Sequence, residues 1–220
     1  MGVRAVIEIP DQALVLVDIQ NDFLPGGALA VPDGDAVIDV ATRLMARFEV
    51  VVATQDCHPS NHGSFASNRG AEAFTMGELG GSPQVMWPDH CVQGTAGAAL
   101  AEALPMDGID AVFPKGTDAR IDSYSGFFDN DHARDTGLER WLNTRGIDHL
   151  IVLGLATDYC VKATVLDALE LGFEVTVVED GCRAVDMTPG DGAAALKEMR
   201  AAGARVMPAA VLMESETIGT

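Results

Sequence analysis

The chain has 220 residues, of which 14 are lysine or arginine and 33 are aspartate or glutamate, so its formal net charge is −19. This excess of acid repels phosphate backbones and excludes sequence-independent binding of nucleic acids. A hydrophobic content of 48% excludes a chain that is disordered throughout, and no apolar segment approaches the roughly 18 residues that a membrane span needs.

The first dozen residues carry Glu8 and Asp11 and lack a continuous apolar stretch, so no secretory signal is expected there. The cytoplasm is then the expected location, and thiols stay reduced in that compartment. The cysteines include no pair separated by two residues, which argues against a disulfide framework. They are Cys57, Cys91, Cys160 and Cys182.

Short apolar runs alternate along the chain with amphipathic stretches. The runs are rich in β-branched residues and continuously apolar, as strands buried on both faces of a parallel sheet are. They cover residues 13–17, 50–53, 111–113, 150–155, 174–178 and 205–207. The amphipathic stretches predict helices over residues 35–48, 136–144, 161–171 and 190–202.

This alternation of strand and helix predicts a doubly wound α/β fold, with a parallel sheet and helices on both faces. No change of composition marks a linker, so residues 1–220 are expected to form a single domain, with a frayed tail over residues 214–220. Residues 57–97 form a long polar segment that contains three of the five histidines. Long segments of this kind in compact domains are commonly functional.

Reactive side chains lie at or just after the ends of separate predicted strands. They are Asp18, Asp56, Lys115 and Cys160. Ligands bind at this edge of open α/β sheets, and a carboxylate, a lysine and a thiol together make an activated nucleophile. The position of Cys160 at the start of a predicted helix and a nearby lysine both favour its thiolate.

Each of these residues also has a simpler interpretation when it is taken alone. A lone cysteine such as Cys160 is most often a small buried apolar residue. Asp18 could be a capping acid, and Lys115 a solvated charge. Their shared position at the strand ends favours a catalytic role over these simpler interpretations.

A second group of candidate residues follows the strand predicted at 50–53. In an extended chain Asp56 and His58 point the same way, whereas Cys57 points to the opposite face. Together with His90 they make an Asp/His/His set that suits Zn²⁺, Fe²⁺ or Mn²⁺. Solvent exposure is the simpler interpretation for histidines in a loop.

Neighbouring side chains could replace or complete this ligand set. Cys57 and Cys91 adjoin the candidate ligands in sequence and are rival ligands, although their opposite orientation in an extended segment argues against them. His62 and Ser64 are candidates to complete the shell, directly or through water.

Six segments spread over most of the chain contain these residues. They read VDIQNDFLPGGALAV (17–31), TQDCHPSNHGSFAS (54–67), WPDHCVQGT (87–95), PKGTD (114–118), DSYSGF (122–127) and GLATDYCVKATVLDA (154–168). In type and order these segments resemble those of the nicotinamidases, within the isochorismatase-like cysteine hydrolase superfamily.

The resemblance implies six parallel strands and a cysteine amidohydrolase that converts nicotinamide to nicotinate and ammonia through a thioester. It further implies a place in pyridine nucleotide salvage and acceptance of pyrazinamide. In the implied triad Asp18 is the base, Lys115 supports the thiolate and Cys160 is the nucleophile. A cis peptide at Leu155–Ala156 is also implied, with an oxyanion hole formed by the amides of Ala156 and Cys160.

The resemblance also implies one divalent ion, zinc foremost, bound by Asp56, His58 and His90. The implied substrate is a small aromatic amide. Its pocket walls would be Phe23, Trp87, Tyr124 and Tyr159, with Leu29 nearby. Cys57 stands where many relatives have a bulky aromatic residue, so we expect altered packing there and intact metal binding. No nucleic-acid or membrane partner is expected, and the sequence is compatible with a homo-oligomer.

Three alternatives explain parts of the same sequence. Another amidase or an isochorismatase of the superfamily is the nearest, but isochorismatases need neither thiol nor metal, and carbamoyl-directed amidases usually lack the metal residues. A catalytically silent binding module could keep the fold, although every predicted triad position holds the required residue. A nucleotide-binding Rossmann protein is disfavoured because no GxGxxG or Walker-type loop follows the first strand.

Overall fold

The computed structural model of the protein describes residues 11–214, so residues 215–220 of the predicted tail and residues 1–10 lie outside it. The strands are β1 (Gln12–Val17), β2 (Val51–Asp56), β3 (Met76–Leu79), β4 (Ser82–Val85), β5 (Ala111–Lys115), β6 (His149–Leu155), β7 (Glu174–Arg183) and β8 (Arg205–Met207). The helices are α1 (Ala36–Met45), α2 (Ala66–Arg69), α3 (Leu138–Asn143), α4 (Lys162–Glu170), α5 (Asp191–Ala202) and α6 (Ala209–Glu214). None of these helices has both the length and the apolar character that crossing a bilayer requires.

Six parallel strands form the central sheet in the order β5-β2-β1-β6-β7-β8. Residues 13–17 of β1 are fully buried, as expected for a central strand covered on both faces. The chain moves from β1 toward the β5 edge, and later from β6 toward the β8 edge. Right-handed crossovers in these two directions place helices on opposite faces. Accordingly α1 packs with α6, and α4 packs with α5. The doubly wound six-stranded fold is therefore confirmed.

The point where the winding changes direction lies between β1 and β6, the two central strands of the sheet. Asp18 directly follows β1, and Cys160 lies five residues after the end of β6. Ligands of open α/β sheets bind in the crevice at such a switch point. The topology therefore brings a carboxylate and a thiol to the two sides of one crevice.

Three parts of the fold differ from the sequence predictions. Helix α6 was not predicted, and its last residue, Glu214, was expected to lie in the frayed tail. β7 continues to Arg183, beyond the predicted end at residue 178, because its last residues pair again with β6 after a bulge. Residues 57–97 contain α2 and an antiparallel hairpin of β3 and β4. The apolar pattern did not mark this hairpin because its two strands bury only Leu79 and Gln84.

Candidate active site

A buried lysine at the end of β5 joins the polar residues at the C-terminal edge of the sheet. The Lys115 ammonium lies 2.9 Å from Asp18 Oδ2 and 3.3 Å from Cys160 Sγ. It also donates to Asp56 Oδ1 and, at 2.9 Å, to the carbonyl oxygen of Ser123. The C-terminal ends of β5, β2, β1 and β6 therefore converge on one ammonium group.

The three predicted triad residues are brought together in the interior, with exposures of 0% for Asp18, 2% for Lys115 and 6% for Cys160. Asp18 has a φ of 49°, which turns the chain immediately after β1. The Thr54 hydroxyl on neighbouring β2 donates to Asp18 Oδ1 at 2.6 Å. One carboxylate oxygen is thus held by Thr54, and the other faces Lys115.

Burial sets the direction of the pKa shifts at the thiol and its neighbouring acid. It raises the pKa of the Asp18 carboxyl although the attraction of Lys115 opposes the shift. Burial also raises the pKa of the Cys160 thiol well above its ordinary value; Lys115 opposes this shift, and the Asp18 and Asp56 carboxylates add to it. Burial therefore opposes the thiolate that a helix start and a nearby lysine favour, whereas Lys115 lowers the pKa of the thiol as expected.

The backbone around Cys160 is irregular. Thr157–Val161 form a π-helical turn that leads directly into α4, so Cys160 lies within helical backbone instead of preceding it. The preceding peptide, Leu155–Ala156, is cis, as the resemblance implies. At Gly154 the φ is +130°, and a Cβ would lie 2.1 Å from the carbonyl oxygen of Val17. Glycine therefore permits the close approach of β6 to β1 that brings the turn beside the carboxylate.

The three predicted metal ligands also meet, beside the lysine. Asp56 Oδ2 lies 3.6 Å from His58 Nε2 and 3.8 Å from His90 Nε2. Each Nδ1 is hydrogen-bonded to a backbone carbonyl oxygen, that of His58 to Gly116 at 2.8 Å and that of His90 to Pro88 at 2.7 Å. Such bonds place the ring proton on Nδ1 and leave the Nε2 lone pair for a metal. The donor set therefore fits a divalent cation.

The pKa values of these ligands are shifted in different directions. Burial favours the protonated form of Asp56, but Lys115, His58 and His90 together outweigh it and lower the pKa of this carboxyl. Burial opposes protonation of His58, but the Asp56 carboxylate raises its pKa to about 9. Burial and the neighbouring His58 lower the pKa of His90 to about 4. The ionised Asp56 and the neutral His90 are thus in the state that metal binding requires, and His58 releases a proton when a metal binds.

The predicted rival ligands do not join this group. Cys57 is half-buried between buried Asp56 and His58, as alternation in an extended segment predicts. Among residues 11–214, neither Cys57 nor Cys91 belongs to a cluster of potential ligand atoms. Gly116 leaves little space beside the His58 ring, because a Cβ at residue 116 would lie 2.3 Å from that ring.

His62 and Ser64, the candidates for completing the shell, contact each other. His62 Nδ1 lies 2.7 Å from Ser64 Oγ, and its Nε2 lies 3.3 Å from the carbonyl oxygen of Ile121. The His62 ring packs against His58 with centroids 4.3 Å apart. His58, His62 and Asp122 form a second cluster, with ligand atoms within 4.8 Å of one another. Sequence reasoning did not single out Asp122, although it opens one of the six matching segments.

A cavity beside Cys160 is lined by all the predicted wall residues. They are Phe23, Leu29, Trp87, Tyr124 and Tyr159. Trp87 meets Tyr159 edge to face at 5.0 Å, and Tyr124 packs on Tyr159 at 5.4 Å. Ala156, Asp56 and His90 line the same cavity. Asp122, Val31 and Val185 also line it; the first two lie in matching segments, whereas no motif marks Val185. The cavity suits a flat aromatic ring placed between the thiol and the metal ligands.

Residues 12–211 match the family model of the isochorismatase domain. The chain is 58% identical to the nicotinamidase of Escherichia coli over 200 residues, which cover 89% of this chain and 94% of that protein. The nicotinamidase/pyrazinamidase of Acinetobacter baumanii has a similar structure, with a TM-score of 0.89, 44% identity, and coverage of 93% of this chain and 99% of that one. The structure of the pyrazinamidase of Pyrococcus horikoshii in complex with zinc is also similar, with a TM-score of 0.75 and 37% identity. The match covers 90% of this chain and 99% of that one.

Proposed function

This chain belongs to the isochorismatase family, and we propose that it is a cysteine amidohydrolase that converts nicotinamide to nicotinate and ammonia. It also accepts pyrazinamide, the related aromatic amide. The observation that carries the proposal is the single buried ammonium of Lys115, which contacts Cys160 Sγ at 3.3 Å and Asp18 Oδ2 at 2.9 Å beside an aromatic cavity.

The first half of the reaction forms a thioester. Asp18, whose pKa is raised by burial, accepts the proton of the Cys160 thiol as the sulfur attacks the carboxamide carbon. The Lys115 ammonium stabilises the charge that develops on the sulfur. The backbone amides of Ala156 and Cys160 bind the oxyanion, a role in which loss of one donor costs about 10²–10³ in rate. Collapse of the tetrahedral adduct breaks the C–N bond, Asp18 returns its proton to the nitrogen, ammonia leaves, and the thioester remains.

The second half of the reaction releases the acid. Water attacks the thioester carbon while Asp18 accepts one of its protons. The C–S bond breaks, the sulfur takes the proton back from Asp18, and the acid leaves and loses its own proton to solvent to give nicotinate. One water is consumed for each amide bond cleaved.

Asp56, His58 and His90 would hold one divalent ion, for which zinc is the foremost candidate given the nitrogen and oxygen donors. When bound, the ion supplies a Lewis-acidic position that orients the ring nitrogen of the substrate. Phe23 and Trp87 hold the faces of the ring. The ring is thereby fixed relative to the thiol.

Ammonia release from nicotinamide tests this proposal directly. We expect Cys160→Ala to lose activity by about 10⁴-fold or more. Cys57→Ala is the control for removal of a thiol, because Cys57 is half-buried outside the ligand clusters. Full activity of Cys160→Ala would end the thiol mechanism, and full activity after metal removal by a chelator would end the orienting role of the ion.

We also propose that residues 1–220 act as one domain in the cytoplasm. The family match over residues 12–211 leaves little of the chain for a second domain. All four cysteines are free thiols, which suits a reducing compartment. Limited proteolysis and cell fractionation would test these two points separately.

A further inference from the structure

The hairpin of β3 and β4 buries one polar side chain next to the cavity. Gln84 is 4% exposed. Its Nε2 lies 2.8 Å from Asp122 Oδ2, 3.0 Å from Tyr124 Oη and 2.9 Å from the carbonyl oxygen of Val85. The two N–H groups of this amide therefore face three acceptors. No step of the proposed reaction uses Gln84, so its burial needs another explanation.

The hydroxyl of Tyr124 is surrounded by donors. Trp87 Nε1 lies 3.1 Å from the same oxygen that Gln84 contacts. Indole and amide N–H groups can only donate, so Tyr124 Oη is the acceptor in both hydrogen bonds. The phenolic proton must then be donated elsewhere. Within the part of the chain that the structure describes, no hydrogen bond has Tyr124 Oη as its donor, and Tyr124 lines the cavity.

We propose that Gln84 is a positioning residue, which turns the Tyr124 proton into the cavity so that Tyr124 donates a hydrogen bond to the bound substrate. This inference rests on the proposed function. The partner is an oxygen or nitrogen acceptor of the aromatic carboxamide, or of its carboxylate product. A buried phenolic proton without an acceptor costs free energy, so a ligand that lacks a suitably placed acceptor is disfavoured.

A double-mutant cycle separates this role from simple packing of the hairpin. Gln84→Met keeps the length of the side chain and removes its N–H groups, whereas Tyr124→Phe removes the hydroxyl. If Gln84 acts through Tyr124, its substitution matters only while the hydroxyl is present. If it only supports the hairpin, its substitution has the same effect in both backgrounds. Gln12→Met, at the exposed first residue of β1, is the control for replacing a glutamine by a methionine.

Two measurements are made on each variant of the double-mutant cycle. One is kcat and KM for nicotinamide, and the other is the Kd of nicotinate, determined by calorimetry in the Cys160→Ala background. We expect each single substitution to raise KM and Kd roughly five- to tenfold, the worth of one hydrogen bond. We expect kcat to stay within about threefold, and the double variant to be no worse than Tyr124→Phe. Additive effects, or unchanged KM and Kd in Gln84→Met, would overturn the inference.

Other outcomes also decide the question. If Gln84→Met does not fold, as judged by circular dichroism, an unchanged nicotinate Kd in Tyr124→Phe overturns the inference and a weakened one supports it. A wild-type protein that releases no ammonia from nicotinamide refutes the proposed function alone, because nicotinate binding to the Cys160→Ala chain still reports on Gln84 and Tyr124. Absence of nicotinate binding as well would overturn both.

Discussion

Two buried aspartates contact the same lysine, yet their pKa values shift in opposite directions. Burial dominates at Asp18 and raises its pKa, although Lys115 lies 2.9 Å away. At Asp56 the same lysine, together with His58 and His90, outweighs burial and lowers the pKa. The difference comes from the other neighbours of each carboxylate: the negative charge of Asp56 raises the pKa of Asp18, whereas two imidazoles lower that of Asp56.

This difference gives the two halves of the site separate tasks. A carboxyl with a raised pKa can take and return a proton near neutral pH. A carboxylate with a lowered pKa stays ionised, as a metal ligand must. Lys115 joins the halves, since β5 pairs its residue 115 with Asp56 at the end of β2. If the two aspartates were interchangeable partners of the lysine, their substitution would have the same consequences, and two predictions test this; a third tests how the metal half is held.

The largest expected effect is that of Asp18→Asn. Asparagine keeps the shape of the side chain but cannot accept the thiol proton, so we expect kcat for nicotinamide to fall by about 10²–10⁴-fold. The content of bound metal should not change, because Asp18 lies on the thiol side of Lys115. Steady-state kinetics and elemental analysis of the same preparation measure both. Retention of activity within a few fold would show that Asp18 is not the proton acceptor.

A different loss is expected for Asp56→Asn. Removal of the ionised ligand should weaken metal binding by at least about 10–100-fold and raise KM, because the ring of the substrate is no longer oriented. Metal titration and the KM for nicotinamide measure this. A variant that still binds one equivalent of metal with unchanged affinity would contradict the assignment of Asp56 and would make the two aspartates equivalent.

The smallest effect is expected at Gly116, which is compared with Gly146. Their φ values, +65° and +69°, are nearly equal, but a Cβ at Gly116 would lie 2.3 Å from the His58 ring, whereas one at Gly146 meets nothing within 4 Å. Both substitutions by alanine should lower the free energy of unfolding by about 1–2 kcal/mol because of the left-handed backbone.

Gly116→Ala should lose additional stability and also bind metal more weakly, because the methyl group displaces the His58 ring. Denaturant unfolding and metal titration of the two alanine variants measure these differences. Equal destabilisation with the same metal affinity would show that the His58 ring moves away without consequence.

The reactive side chains could be predicted from the sequence because they stand next to strands. The apolar run over residues 13–17 marks where β1 ends, and Asp18 follows it directly. Asp56 and Lys115 are the last residues of β2 and β5. Parallel strands carry their C-terminal ends to one edge, so local hydrophobic patterns were sufficient to bring these residues together.

The hairpin and its contacts could not be predicted in this way. β3 and β4 bury only two side chains, so they show no regular alternation. Gln84 reaches Asp122 and Tyr124 across about forty residues of sequence. Nothing in the sequence near Gln84 indicates these partners, because long-range contacts between loops leave no local pattern.

By itself the sequence determined the strand–helix order and the residue types at the strand ends, since both follow from short-range hydrophobic periodicity. Only the tertiary structure decided that burial raises the pKa of the Cys160 thiol, that Asp18 and Asp56 have opposite pKa shifts, and that Tyr124 Oη accepts two hydrogen bonds. The physical reason is that burial and the arrangement of neighbouring charges and donors depend on segments far apart in the chain.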